Sequence, residues 1–188
     1  MQLEALEMSN PHYFIAAELP ADVKEKIEKQ KKQWSEKFKF KQWTHMEDLH
    51  ITLAFLGAAD EKEIEQYQRY LKEKIPELPA ADLVIERTDY FGREANPRIF
   101  WIGPKDELGL QTLYNLVQQI VAKAGGTTEK RPYRPHITLA KKWIGNETFQ
   151  LPESIQAIDF TVSSVALYRI HPAESPKYEV VARFMMQQ

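Results

Sequence analysis

The sequence predicts an α+β protein built from two similar lobes that face each other. Three observations carry this. The pentapeptide His-Ile-Thr-Leu-Ala occurs twice, at His50–Ala54 and at His136–Ala140, 86 residues apart (50 to 136). Internal repeats expose architecture before any single element does. Each copy reads as a strand that follows a helical segment. Strand and helix patterns alternate along the whole chain, with no low-complexity linker to mark an independent second domain.

The elements follow in order. His12–Leu19 reads as a strand, and Pro20 as a helix start. Val23, Ile27, Trp34 and Phe38 recur at helical spacing through a Lys/Glu-rich stretch. Leu49–Leu56 is the strand of the first motif, closed by Gly57. Asp60 with Glu63 resembles a capping box opening a helix with Ile64, Tyr67, Leu71 and Ile75 on one face. Pro76 and Pro79 end it. Asp82–Tyr90 and Arg98–Ile102 read as strands around a Gly92–Pro97 turn region. Leu113, Leu116, Ile120 and Ala124 mark a third helix, stopped by Gly125-Gly126. His136–Lys141 is the second motif strand. Ile158–Tyr168 and Tyr178–Phe184 read as two final strands around a Pro172–Pro176 turn. Residues 1–188 are expected to form one bilobal domain, with 1–10 a short tail.

Composition bounds the chemistry. The chain has 188 residues, is 43% hydrophobic and 28% charged, and carries a net charge of −2. These are ordinary values for a globular protein. There are no cysteines, which excludes disulfides, thiolate nucleophiles and cysteine-based zinc sites. No run of about 18 apolar residues occurs, so no membrane helix is expected. Residues 1–10 do not resemble a signal peptide. A cytoplasmic protein is expected.

Within each motif the residues at i and i+2 of a strand share a face. Ile51, Leu53 and Phe55 are therefore expected to pack inward, leaving His50, Thr52 and Ala54 on the other face. Ile137 and Leu139 likewise pack, and His136, Thr138 and Ala140 look outward. Each copy offers one group that titrates near neutrality and one hydroxyl. Brought together across a cleft, they would form a paired acid–base site in which the threonines hold phosphoryl oxygens. Lys130, Arg131, Arg134, Lys141 and Lys142 crowd around the second copy, which suggests an anionic substrate. A metal is not expected, because two histidines lack a third protein ligand. No Gly-x-Ser-x-Gly elbow and no Gly-x-x-x-x-Gly-Lys loop is present. His12, His45 and His171 are expected at surface or capping positions.

These residues resemble the 2H phosphoesterase superfamily, and within it the RNA 2′,3′-cyclic phosphodiesterases also described as 2′-5′ RNA ligases. Phe14–Pro20 is similar to the family's opening strand and helix start. Leu49–Gly57 resembles its first motif, Pro97–Trp101 its central Pro-Arg strand, and Arg134–Lys141 its second motif. The resemblance implies two pseudo-symmetric lobes, each an antiparallel sheet with helices on its outer face, facing across a central cleft. It implies hydrolysis of an RNA 2′,3′-cyclic phosphate end to a 2′-phosphate, with no cofactor and no metal. By analogy His136 accepts a proton from water and His50 donates one to the departing 3′ oxygen. Thr52, Thr138, Arg98 and Lys141 would contact phosphate, and Phe14 and Tyr133 a base. Trp101 is a further candidate for stacking.

Two departures stand out. Lys141 replaces a common arginine, keeping charge but losing the bidentate fork. Strict alternation would put Lys142, rather than Lys141, on the His136 face. Ile170-His171-Pro172 also departs from the family pattern at one rim. The expected partner is RNA with a cyclic phosphate end, or a small cyclic nucleotide, with the chain acting as a monomer away from membranes. Ligation by the reverse reaction, a small cyclic metabolite as substrate, and a non-catalytic RNA-binding module are the alternatives.

Overall fold

Nine strands and three helices make up the described residues 10–104, 108–152 and 154–188 of this computed structural model. All but one residue of the expected tail lies outside them. Strands β1 (His12–Glu18), β3 (His50–Ala58), β8 (Ser164–Ile170) and β9 (Tyr178–Met185) form one sheet in the order β3-β1-β8-β9. Strands β2 (Phe40–Trp43), β4 (Ala81–Arg93), β5 (Asn96–Pro104), β6 (Ile137–Trp143) and β7 (Ile158–Val162) form the other, in the order β2-β6-β5-β4-β7. Every paired strand is antiparallel. Each sheet thus carries one copy of the motif.

Helix α1 (Ala21–Ser35) forms because Val23, Ile27, Lys31 and Trp34 make one buried stripe. Trp34 meets Phe100 of β5 edge-on, which seats the helix on the five-stranded sheet. Helix α2 (Glu61–Lys74) opens on the expected capping box. The Asp60 carboxylate accepts from Glu63 N at 2.9 Å, and Asp60 N donates back to the Glu63 carboxylate at 2.8 Å. Its Ile64, Tyr67 and Leu71 are buried, as is Ile75 in the following turn of 3₁₀ helix. Helix α3 (Gln111–Lys123) packs on β3 and α2. Tyr114, Val117 and Val121 join Leu113 and Ile120 in its buried face. The helices therefore cover the outer face of each sheet, and one continuous apolar core joins both halves.

Five expectations change, counting Ala54 and Ala140, which are buried rather than outward. Ile158–Tyr168 is not one strand: Val162 ends β7 in one sheet and Ser164 starts β8 in the other. The apolar pattern runs through this crossing because both halves are buried, so periodicity alone does not reveal it. Strand β2 is additional. Its lysine-rich surroundings read as the tail of a helix, yet α1 stops at Ser35 and Phe38 and Phe40 turn into an aromatic cluster with Phe100 and Phe149. The first motif is consequently preceded by β2 and a 3₁₀ turn (Met46–Asp48), not directly by a helix. Finally, Phe55 is 60% exposed rather than packed.

The Phe55 result has a local cause. In β3 the register to β1 slips twice. Ala16 faces Thr52 and Ile15 faces Ala54, and further along Phe14 faces Phe55 while Tyr13 faces Gly57. Such bulges insert one residue and reverse the in–out alternation beyond it. Gly57 at φ 74° occupies the second slip, in a backbone region that glycine enters at little cost. The second motif repeats the first slip: Trp101 faces Thr138, and Phe100 faces Ala140. In both copies the Leu–Ala pair is buried together, Leu53 and Ala54 in one, Leu139 and Ala140 in the other.

The capping box gives a stability prediction. Asp60→Ala should lower the unfolding free energy by about 1 kcal/mol, the usual worth of an N-cap. A urea unfolding midpoint unchanged from wild type would show that the box contributes nothing.

Candidate active site

A cleft of about 110 Å³ opens where the two sheets meet, lined by Thr44, Asp48, His50, Thr52, Thr138, Lys141 and Tyr178. A larger concavity of about 460 Å³ lies elsewhere, between α1 and residues 155–159. Its lining of lysine, glutamine, aspartate and apolar groups offers no imidazole, so the smaller cleft is the chemical one.

The two histidines are set in the same way. His50 Nδ1 lies 2.7 Å from the Asp48 carbonyl, and His136 Nδ1 lies 2.8 Å from the Arg134 carbonyl. A carbonyl only accepts, so Nδ1 carries the proton in both rings and Nε2 presents a lone pair. At His50 that lone pair accepts from the Thr52 hydroxyl at 3.0 Å. His136 does not appear in the cleft lining itself. Its charge nevertheless acts on His50, and its ring lies against Phe91 and Trp101. Gly103 makes room for this placement. A Cβ there would sit 2.7 Å from the Pro135 carbonyl oxygen, immediately before His136.

Burial disfavours the imidazolium form of both rings. Burial lowers the His50 pKa to about 4, against the raising effect of the Asp48 carbonyl, and the nearby charges of His136, Lys141 and Lys24 lower it further. His136 is also lowered by burial, partly offset by the Arg134 carbonyl. Lys141 is lowered by burial and by Lys177, while Asp48 acts the other way.

Of the residues expected at the site, His50, Thr52, Thr138 and Lys141 share the cleft. Lys141 rather than Lys142 reaches it because the bulge between Thr138 and Ala140 reverses the alternation. Lys142 instead takes φ 61°, a left-handed conformation. Arg98 is exposed on β5 and is absent from the cleft lining. By alternation it shares the face of Phe100, which is buried against Trp34 and Phe40. Phe14 is only 3% exposed, stacked on Tyr168 and packed against His50. No face of that ring is open to a base; it holds the imidazole instead. Tyr133 stacks on Tyr114 with ring centres 3.9 Å apart, and its hydroxyl donates to the Thr52 carbonyl at 3.4 Å. Trp101 is 1% exposed and supports His136.

The structure adds residues that the sequence did not single out for this purpose. Asp48 is 5% exposed. Its carboxylate accepts from Lys177 N at 2.9 and 3.0 Å and from Tyr178 N at 3.1 Å. Such saturation is what a buried carboxylate needs. It draws the β8–β9 hairpin onto the first motif and sets Tyr178 edge-on to His50, ring centres 5.3 Å apart. The only signal in the sequence was a carboxylate two residues before a motif histidine, which reads as easily as a solvated charge. Thr44 had no signal at all. Among the described residues no three His, Cys, Asp or Glu side chains come together as a metal site. Of the remaining histidines, His45 caps the 3₁₀ turn by accepting from Glu47 N, and His171 bonds Glu179.

Comparison with known proteins bears on the family and the fold. The profile of the 2′-5′ RNA ligase superfamily matches residues 19–174. The RNA 2′,3′-cyclic phosphodiesterase of Bacillus subtilis (strain 168) is 36% identical over 178 residues, covering 94% of this chain and 97% of the relative. That of Thermotoga maritima is 30% identical over 153 residues, covering 79% and 80%. Among solved structures, E. coli LigT complexed with 3′-AMP superposes with a TM-score of 0.82 over 95% of this chain and 99% of that one. At 23% identity that likeness concerns the fold. The match across both motifs, with a close relative aligned almost end to end, makes this chain a member of the 2′-5′ RNA ligase superfamily.

Proposed function

We propose that the chain hydrolyses RNA 2′,3′-cyclic phosphate ends to 2′-phosphates, with His50 and His136 as paired proton carriers and with no metal or organic cofactor. The observation that carries this is the cleft in which an imidazole, two threonine hydroxyls and an ammonium converge from the two motifs. The names of the relatives supply the substrate class. The site is formed within one chain and its core is continuous, so a single bilobal unit acting as a monomer is sufficient. Among the described residues no helix is long and apolar enough to cross a membrane, and the absence of cysteine suits a reducing cytoplasm.

The chemistry runs as follows. His136 Nε2 takes a proton from a water that attacks phosphorus. Negative charge builds on the two non-bridging oxygens, and the Thr52 and Thr138 hydroxyls and the Lys141 ammonium hold them. The bond from phosphorus to the 3′ oxygen breaks. His50, as imidazolium, gives its Nε2 proton to that oxygen, leaving a 2′-phosphate and a 3′-hydroxyl. The Thr52 hydroxyl, which accompanies the lone pair of neutral His50, is then free to turn toward phosphate.

A group with a resting pKa of about 4 is poorly protonated at neutral pH. The substrate corrects this. A phosphodiester anion beside His50, Thr138 and Lys141 offsets the positive charges that hold the imidazole down, and so raises its pKa. His136 stands back from the lining and receives less of this effect, which suits it to the role of base. With a 5′-hydroxyl in place of water as the nucleophile, the same groups would join RNA ends through a 2′-5′ bond.

Three measurements test the reading. His50→Ala and His136→Ala should each lower turnover of a cyclic-phosphate-ended oligonucleotide by about 10²–10⁴-fold, with a native circular dichroism spectrum. Near-normal turnover in either variant would exclude the paired mechanism. The product should be the 2′-phosphate. A 3′-phosphate would reverse the roles of the two histidines. The pH profile should be bell-shaped, and the pKa of the acid should stand higher in kcat than in kcat/KM, because only the complex contains the substrate's charge. Equal values would show that substrate does not protonate His50.

A further inference from the structure

The leucine at the bulge of each motif has its carbonyl bound by a group from a distant part of the chain. The Leu53 carbonyl accepts from the Gln118 side-chain amide at 2.9 Å. The oxygen of that same amide accepts from Glu129 N at 3.0 Å. The two backbone partners fix which end of the amide is which. Gln118 belongs to α3, and Glu129 to the segment that leads into the second motif. One residue earlier, the Thr52 carbonyl takes the Tyr133 hydroxyl. In the other half, the Leu139 carbonyl accepts from Thr44 N at 2.9 Å, one bond beyond the β2–β6 ladder. The Thr44 carbonyl in turn accepts from the Lys31 ammonium. Lys31 is 5% exposed on α1 and is paired with Glu28.

We propose that Gln118 and Lys31 are positioning residues for the reaction: each ties the leucine carbonyl at one motif's bulge, Gln118 directly and Lys31 through Thr44, to the segment that leads into the other motif. This inference rests on the cyclic phosphodiesterase reading. The consequence is geometric. The orientation of the Leu53 carbonyl is coupled through one peptide unit to Thr52, whose hydroxyl holds His50 Nε2. A group displaced by about 1 Å costs up to about 10²-fold in rate. Burying a lysine is costly, and an ordinary ladder bond at Thr44 would not require one. A partly exposed glutamine that bonds two backbones at once likewise does more than solvate a loop.

The test uses Gln118→Leu, with Lys31→Met in parallel, and 2′,3′-cyclic AMP as substrate. Steady-state kinetics, the thermal midpoint and the His50 ring titration by NMR without substrate are measured on each. In Gln118→Leu, kcat should fall about tenfold or more while KM moves by less than about threefold, the signature of lost positioning rather than lost binding. His50 should titrate at higher pH than in wild type, because the Thr52 hydroxyl no longer supports the neutral ring. Wild-type kcat and an unmoved His50 titration, with only a lower midpoint, would reduce Gln118 to a structural role. A fall in kcat without any change in the titration would also overturn the route through Thr52. If Lys31→Met does not fold, Gln118→Leu carries the decision. If wild type fails to turn over the substrate, the functional reading falls, and the titration still decides whether Gln118 positions His50.

Discussion

Each half-site depends on a slip in strand pairing placed immediately after the motif threonine. An undisturbed strand would turn His, Thr and Ala to one side and Ile and Leu to the other. The slip buries Leu and Ala together, which anchors the strand by apolar packing on both sides of the break. Everything beyond it changes face. On β6 this brings Lys141 to the side of Thr138, and on β3 it sends Phe55 out to solvent. The cation, the hydroxyls and the imidazole meet because two antiparallel sheets carry the same irregularity at the same point.

The histidines owe their readiness to backbone carbonyls rather than to carboxylates. A carbonyl two residues upstream holds each Nδ1–H and fixes the tautomer without adding a charge. The nearby carboxylate of Asp48 is spent on two backbone amides of the hairpin. The result is a cleft in which burial and neighbouring cations disfavour imidazolium until an anion arrives.

Much of this was legible in the sequence. The repeat marked both motif strands, and the i and i+2 rule put His50 on the face of Thr52, where the two are in contact. The Asp60–Glu63 box and the α2 stripe were also readable, because a cap and a helical face are local. Other features were hidden for physical reasons. Lys141 and Lys142 could not be separated by parity, since parity fails across a bulge, and a bulge is a property of the pair of strands. Phe14 and Tyr133 were expected to contact a base, but the faces of their rings are covered by Tyr168, His50 and Tyr114, which lie far off in the chain. The Ile158–Tyr168 run concealed a passage between sheets, because both parts are apolar.

The sequence by itself determined which groups are candidates for chemistry, since the identities and spacing of His-x-Thr are local facts that any strand would express. Tertiary structure alone decided how they are oriented and what surrounds them. The partners that matter, Leu53 with Gln118, Leu139 with Thr44 and Asp48 with the hairpin amides, are distant in the chain. Hydrogen bonds between such partners exist only after the sheets have paired, and no local pattern specifies which groups will meet.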